Sequence, residues 1–178
     1  MSTIPARSAK HGILAEDKAE QRAQIIEMLT KAYWMELETV ISYITNSVNP
    51  DGLRAQEVKE ALAEDIQEEL AHAGLFAQRI KTLYGTVPGS MDFKAEQVTL
   101  QPPDDQTDLV QIIAGVIDAE NGAIDHYNQI IEFTEGIDPV TNDMVIAILQ
   151  DEEQHRRLFE GFMREFERYG DPRTTADQ

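Results

Sequence analysis

The amino-acid sequence predicts an all-α protein, folded as an antiparallel four-helix bundle with a long crossover connection between the second and third helices. Three observations predict this fold. Apolar side chains recur at helical spacing in four long stretches, short turn sequences join the first stretch to the second and the third to the fourth, and a Gly- and Pro-containing segment separates the middle two. The chain has 178 residues, of which 42% are hydrophobic, so we expect one domain around one core.

The four helices are predicted from the apolar periodicity and from the residues that end each stretch. Turn-forming clusters at 49–52 and 136–139, and a glycine at position 85, mark the ends of the first three helices. The predicted helices cover, in order, about residues 16–47, 53–84, 108–134 and 140–169. The helical domain is therefore predicted over residues 16–170, with an N-terminal arm at 1–15 and a C-terminal tail at 171–178.

The connection over residues 85–107 is unusually long for a compact domain, which suggests a geometric role. A helix of about 28 residues is about 42 Å long at about 1.5 Å per residue. An extended connection of this length can cover about 76 Å. The segment can therefore run the whole length of the bundle, so that the third helix begins at the far end and lies parallel to the second.

Two copies of the sequence Glu-x-x-His carry the chemistry predicted for this bundle, one in the second helix and one in the fourth. Another glutamate precedes each copy, by 33 residues in the first half and by 32 in the second. A tyrosine follows that glutamate seven positions later in both halves. The two sets are Glu36, Tyr43, Glu69 and His72 in the first half, and Glu120, Tyr127, Glu152 and His155 in the second.

This pattern indicates a pair of metal ions inside the bundle. Glutamate and histidine three residues apart lie on one face of a helix. In all four helices a glutamate occupies a position where the periodicity requires an apolar residue, and burying a lone carboxylate is costly. Four carboxylates and two divalent cations would leave the site close to neutral. A pseudo-two-fold axis between the two hairpins would bring all the ligands to one height, and carboxylate with imidazole suits iron or manganese.

The ligand set resembles that of the ferritin-like di-iron carboxylate proteins. The likeness is greatest to bacterioferritins and to the related di-iron Dps-like proteins, through residues 148–155 and 36–43, and it covers about residues 20–168. It implies ferroxidase chemistry, in which two Fe(II) ions bind and are oxidised by O2 or H2O2. It implies that Glu36 and Glu120 are terminal ligands and that Glu69 and Glu152 bridge the two ions. It also implies that His72 and His155 each bind one ion.

The resemblance also implies two iron ions as cofactors, with manganese or zinc as alternative occupants, and a hollow homo-oligomer. Two departures from bacterioferritins limit this expectation. Leu70 replaces the haem-binding methionine that follows the second-helix glutamate, which argues against haem. Only eight residues follow Gly170, too few to predict a fifth helix. We therefore expect a dodecamer or a larger shell, rather than a dimer, without fixing the number of subunits.

Several residues near the ligands allow more than one interpretation. Tyr43 and Tyr127 either donate hydrogen bonds to the ligands or are ordinary core tyrosines, and core packing is favoured over radical chemistry. Trp34 either lies at a subunit interface or shields the bundle. His126 lacks a glutamate three positions earlier, which favours a surface or interface histidine over a ligand. The ligand neighbours expected to be solvated, with lining an access path for iron as the alternative, are Glu38, Glu68 and Glu153.

Composition excludes several other classes of function. The net charge of −18 argues against binding nucleic acid, although it favours the approach of cations. The absence of cysteine excludes disulfides, thiolate zinc sites and iron–sulfur clusters. No apolar stretch is long enough to span a membrane, and the first residues lack the apolar segment of a secretory signal. These features predict a cytoplasmic protein without a membrane partner.

Three functions remain open from the sequence. The first is iron oxidation for storage or detoxification in a shell. The second is a di-iron or di-manganese oxidoreductase of catalase, peroxidase or small-molecule oxidase type, without mineral storage. The third is a non-catalytic acidic bundle whose buried acids are structural or hold one passive metal ion.

Overall fold

The computed structural model describes Ala9 and residues 11–169, and within these residues it contains four long α-helices and no strand. This confirms the predicted all-α four-helix architecture. The C-terminal tail, together with most of the predicted N-terminal arm, lies outside the described residues. The helices are α1 (Ala19–Val48), α2 (Ala55–Thr82), α3 (Leu109–Thr134) and α4 (Pro139–Tyr169), with single 3-10 turns at Glu16–Lys18 and Ser90–Asp92.

The core consists of two apolar clusters, one toward each end of the bundle, and the predicted ligands lie between them. One cluster contains Leu29 from α1 and Phe76 from α2, and the other contains Leu62 from α2 and Phe159 from α4. All four side chains are fully buried. The polar middle layer is therefore closed from both ends by packed hydrocarbon, which lowers the local dielectric constant and strengthens every electrostatic interaction inside it.

The crossover runs along α1 from one end of the bundle to the other. Successive contacts follow the same order in both segments: the Trp34 ring packs on Phe93, the Asn46 side-chain amide donates to the Leu100 carbonyl at 3.2 Å, and the Asp51 amide donates to the Gln106 carbonyl at 2.9 Å. The connection therefore ends beside the α1–α2 turn. The third helix begins there, as predicted, and lies parallel to α2.

Two residues hold the crossover against the helices. Gly115 allows α3 to touch it directly, since a Cβ at this position would lie 2.5 Å from the Thr99 carbonyl oxygen. The Glu38 carboxylate accepts hydrogen bonds of 2.8–2.9 Å from the backbone amides of Glu96 and Gln97. Glu38 is only 6% exposed, so the prediction that it is solvated was wrong. It anchors a backbone turn whose amides would otherwise lack partners.

A buried ion pair joins the end of α2 to the start of α4. The Arg79 guanidinium donates to both carboxylate oxygens of Asp138, at 2.6 and 2.7 Å, and to the Thr141 hydroxyl at 2.8 Å. Asp138 also accepts from the Thr141 amide at 3.3 Å and so caps the first turn of α4. Although burial opposes it, the hydrogen bonds from Arg79 and Thr141 lower the pKa of Asp138 below its usual value.

Among the described residues, no helix is both long and apolar enough to cross a bilayer.

Candidate metal centre

The six predicted ligands converge at one level in the middle of the bundle, between the two apolar clusters. Each helix contributes at least one of them, and none is more than 6% exposed. The helical period explains the convergence, because each glutamate occupies a core-facing position and each histidine lies one turn further along the same face. The converging residues are Glu36 from α1, Glu69 and His72 from α2, Glu120 from α3, and Glu152 and His155 from α4.

The side chains form two overlapping groups, and each group could hold one metal ion. In each group, one potential ligand atom from every member lies within 4.8 Å of those of the others. Glu69 and Glu152 belong to both groups, so their carboxylates lie where a bridge between two ions would be needed. The first group is Glu36, Glu69, His72 and Glu152, and the second is Glu69, Glu120, Glu152 and His155.

The inner nitrogen of each histidine faces the shared carboxylates. His72 Nδ1 lies 3.2 Å from a Glu152 oxygen and 3.8 Å from a Glu36 oxygen. His155 Nδ1 lies 3.2 Å from a Glu69 oxygen and 3.4 Å from a Glu152 oxygen. Each histidine is therefore closer to the shared glutamate of the other hairpin than to that of its own, which lies 4.0 Å away for His72 and 3.4 Å away for His155. The two half-sites have the same arrangement, as the internal repeat predicts.

The outer nitrogen of each histidine meets a carboxylate from the opposite hairpin. His72 Nε2 lies 3.3 Å from Asp151, and His155 Nε2 lies 3.0 Å from Glu68. Donation from Nε2 to a carboxylate leaves Nδ1 as the lone-pair donor that faces the centre. The sequence interpretation missed Asp151, and it expected Glu68 to be solvated, with lining an access path for iron as the alternative. A signal for both was present, because an acidic residue directly precedes the glutamate of both Glu-x-x-His copies.

The two tyrosines cross between the hairpins. The Tyr43 hydroxyl donates to Glu120, and the Tyr127 hydroxyl donates to Glu36. Both tyrosines are fully buried. Burial, together with the adjacent carboxylates, raises the pKa of both phenols well above the usual value, so they remain protonated donors. Of the two interpretations left open by the sequence, the structure selects hydrogen bonding to the outer glutamates.

Crowding of buried acids makes the centre strongly attractive to positive charge. Burial, followed by repulsion from Glu152 and Glu69, raises the pKa of Glu36 and of Glu120 well above the usual value. Burial alone would raise the pKa of Glu152, but the two histidines beside it, His155 and His72, lower it to about 2. Burial alone would also lower the pKa of His155, but the adjacent carboxylates of Glu152 and Glu69 raise it to about 12. Protons and metal cations therefore compete for the same buried negative charge.

One further acid breaks the symmetry of the two halves. Asp65 is 8% exposed and lies one turn before Glu69, with a carboxylate oxygen 3.7 Å from His155 Nε2. Burial raises its pKa to about 6, although the attraction of His155 opposes this shift. The equivalent position in the other hairpin is Ile148. Comparing the two halves of the repeat would have identified Asp65 as an acid in a core-facing position.

The donor atoms of the centre fit a pair of cations better than they fit one another. Several are buried and have no hydrogen-bond partner, although buried polar atoms in proteins are nearly always paired. All of these atoms belong to residues shared by, or facing, the two ligand groups. The unpartnered atoms at the centre are Glu69 Oε1, His72 Nδ1, Glu152 Oε1 and His155 Nδ1. Carboxylate and imidazole donors of this kind suit iron or manganese.

The other residues considered from the sequence lie outside the centre. Trp34 packs between Tyr33 and Phe93, with ring centroids 4.9 and 5.4 Å away. His126, expected at the surface or an interface, is 5% exposed, and its Nε2 lies 2.9 Å from the Met28 carbonyl oxygen. Burial lowers the pKa of His126, so it is a neutral packing residue. Glu153 is exposed, as predicted.

The same fold and sequence pattern occur in known proteins. Residues 26–169 match the family described as the ferritin-like domain. The DNA protection during starvation protein of Pyrococcus furiosus is 29% identical over 140 residues, which cover 77% of this chain and 75% of that protein. The bacterioferritin of Desulfovibrio desulfuricans is 26% identical over 159 residues, which cover 89% of this chain and 84% of that protein.

Two solved structures show the likeness in three dimensions. The D. desulfuricans bacterioferritin, solved with its di-iron site in different catalytic states, superposes with a TM-score of 0.73 at 25% identity, over 86% of this chain and 85% of that chain. The dodecameric thioferritin of Bacteroides fragilis superposes with a TM-score of 0.73 at 22% identity, over 92% of this chain and 100% of that chain. The second likeness concerns the fold alone.

Proposed function

The chain belongs to the ferritin-like domain family, and on that basis we propose that it is a ferroxidase that binds two Fe(II) ions for oxidation by O2 or H2O2. The observation that carries the proposal is the centre itself: two glutamates shared by two ligand groups, each completed by one histidine and one further glutamate. Two bound Fe(II) ions would supply one electron each, which together reduce O2 or H2O2 by two electrons.

The residues of the chain have distinct parts in this activity. Glu69 and Glu152 belong to both ligand groups, so they would hold both ions. Tyr43 and Tyr127 hold one oxygen of each outer glutamate and leave the other oxygen for a metal. Asp151 and Glu68 fix the histidine tautomer. The apolar clusters on either side keep bulk water from the reacting ions.

Aerobic addition of Fe(II) to the purified protein tests the proposal. We expect rapid oxidation of about two irons per chain, followed by the ultraviolet absorbance of the ferric product. Oxidation no faster than in buffer alone would overturn it. Metal analysis of the same sample distinguishes iron from manganese or zinc, the alternative occupants of these ligands.

We also propose that the protein assembles into a homo-oligomeric shell, of twelve subunits or more. Support comes from an apolar stripe on the outer face of α1, where Ile41, Ile44 and Val48 are 55%, 49% and 67% exposed. Clustered exposed apolar side chains are typical of protein interfaces. Light scattering should give the mass of a closed assembly, and a monomeric mass would contradict this part of the proposal.

Metal binding is expected to strengthen as pH rises. The pKa values of Glu36 and Glu120 are raised, and the pKa of His155 is raised to about 12, so these groups hold protons that divalent ions must displace. Affinity should therefore increase by about tenfold per pH unit for each proton released. Calorimetric titration with Zn(II) in buffers of different ionisation enthalpy between pH 6 and pH 8 measures this release. A pH-independent affinity would contradict the predicted proton displacement.

Removing the outer-nitrogen acceptors should weaken one half-site at a time. Asp151→Ala removes the acceptor of His72, and Glu68→Ala removes that of His155, so each variant should lose about 10- to 100-fold in affinity for one of two ions. Stepwise titration with Zn(II) resolves the two binding events. The exposed Glu153→Ala serves as the control, with no expected change. Equal weakening of both sites in both variants would contradict the assignment.

A further inference from the structure

The two ligand groups have matching donors but unequal surroundings. The internal repeat relates α2 to α4 by an offset of 83 residues, which pairs His72 with His155. The same offset pairs Asp65 on α2 with Ile148 on α4. Both positions are buried, with exposed fractions of 8% and 2%. One half of the centre therefore has a buried carboxylate beside it, at the position where the other half has an alkyl side chain.

Asp65 acts on the Glu120–His155 half by charge rather than by hydrogen bonding. Its Oδ1 atom lies 3.7 Å from His155 Nε2, too far for a hydrogen bond, and Glu68 already lies 3.0 Å from that nitrogen. The other oxygen, Oδ2, is buried and has no hydrogen-bond partner. A buried carboxylate in this position is costly unless a cation lies nearby. An ion bound by His155 Nδ1 would supply that cation.

The exposed acids around the centre do not offset this difference. Each histidine has one of them at its outer nitrogen, Asp151 for His72 and Glu68 for His155, and these side chains are 41% and 61% exposed. Water and salt screen exposed charges, whereas a buried charge is screened much less. The side chain of Asp65 is only 11% exposed, so it adds a weakly screened negative charge to the half that contains His155.

We propose that Asp65 makes the two halves of the centre unequal, so that a divalent ion leaves the Glu120–His155 half more slowly than it leaves the Glu36–His72 half. The inference rests on the proposed function for the presence of two ions, which are Fe(II) in that function. It assigns one ion to a retaining position and the other to an exchanging position. Asp65 is a positioning residue, since it acts on the ion through its charge and through His155.

Release kinetics measure this inequality more directly than equilibrium affinity does. While an ion is bound, its attraction to Asp65 opposes departure. Equilibrium affinity also depends on the protons that the ion displaces, and Asp65 attracts these protons as well. Removing the charge of Asp65 should therefore change the release rate of one ion strongly and the equilibrium affinity less.

Chelator extraction of Co(II) from the assembled protein tests the proposal. Protein loaded with two Co(II) ions per chain is mixed with excess EDTA at pH 8, and the loss of the protein-bound Co(II) absorbance is followed with time. The unchanged protein should release its ions in two phases of equal amplitude, with rates that differ by about tenfold, the lower end of the effect of outer neighbours on metal sites. Asp65→Asn removes the charge and keeps the shape, so it should accelerate the slow phase about tenfold and leave the fast phase unchanged.

Two half-site variants assign the phases to the ligand groups. Glu36→Gln disables one group and Glu120→Gln disables the other, and each variant is loaded with one Co(II) ion per chain. Release should be slow from Glu36→Gln, which keeps the group beside Asp65, and fast from Glu120→Gln. Adding Asp65→Asn should accelerate release from the first variant alone.

Two further variants separate the charge of Asp65 from its packing. Glu64→Gln is the matched control, since it removes an exposed acid from the adjacent position and should leave both phases unchanged. Asp65→Glu keeps the charge, so the slow phase should persist. A purely structural role for Asp65 would instead be disturbed by both the asparagine and the glutamate substitution.

Each result of these experiments decides the proposal. A single release phase in the unchanged protein, or equal rates from the two half-site variants, would overturn it. A slow phase that survives Asp65→Asn, or that is lost in Asp65→Glu as well, would also overturn it, because the inequality would then have a cause other than charge. In all these cases the protein still binds two ions, so the proposed function stands. Failure of the unchanged protein to bind Co(II) would refute the metal centre and this inference together.

Discussion

Replacing Glu69 with alanine is expected to abolish rapid Fe(II) oxidation, lowering the initial rate by about 100-fold or more. The reason is that Glu69 belongs to both ligand groups, so its loss removes an oxygen from each ion at once. Changes to the outer neighbours of metal ligands typically reduce affinity or activity by about 10- to 100-fold, and loss of a shared ligand should exceed that. The initial rate of oxidation after aerobic Fe(II) addition, with the number of irons bound per chain, measures the effect.

Two controls separate this effect from general damage. Glu153→Ala removes an exposed acid next to the other shared glutamate and should keep the full rate. Thermal unfolding in the presence of a chelator should show that Glu69→Ala is folded, because the change relieves repulsion among the buried acids near Glu36 and Glu120. Full activity in a folded Glu69→Ala protein would refute the assigned centre.

Arg79→Ala is expected to cause the largest loss of stability, about 3–5 kcal/mol in the free energy of unfolding. The substitution leaves the fully buried Asp138 carboxylate without its cation and removes the donor to Thr141. For a chain of this size the midpoint of thermal unfolding should fall by roughly 10 °C. Calorimetry in the presence of a chelator isolates the effect from metal binding.

The exposed ion pair on α4 provides the matched comparison. Arg156 lies 2.9 Å from Glu160, and both side chains are substantially solvated. Pairs of this kind contribute about 0–1 kcal/mol, so Arg156→Ala should change the unfolding midpoint by only a few degrees. If both arginine variants lost the same stability, the buried pair would not be the link that holds the start of α4 against α2.

Periodicity and repetition explain how much of this structure could be predicted. The four helices follow from apolar spacing and from the turns between them, and the long crossover follows from the length of chain between its ends. The candidate ligands could be predicted because a glutamate in a core-facing position is rare without a partner, and because the same set occurs twice. Glu36 and Glu120 illustrate this, since neither lies in a short motif and only the repeat makes them stand out.

The unpredicted features depend on contacts between distant segments. Nothing near Glu38 in the sequence indicates that it accepts amide hydrogen bonds from residues 96 and 97. His126 was expected at the surface or at an interface because it lacks a glutamate three positions earlier, whereas it is buried by the packing of α3 on α1 near Met28. Glu68 was assigned by its outward position on the helix, which is right for its exposure but does not reveal its contact with His155. In each case the partner lies far along the chain.

The crossed tyrosines make the two halves of the protein mutually dependent. Each hairpin contains its own Glu-x-x-His copy, yet the phenol that orients its outer carboxylate comes from the other hairpin. A chain cut within the crossover would yield two fragments with nearly complete but unoriented coordination spheres. Such fragments should form a working centre only when they reassociate. Divalent ions should promote reassociation, because they bind the complete pair more tightly than either fragment alone.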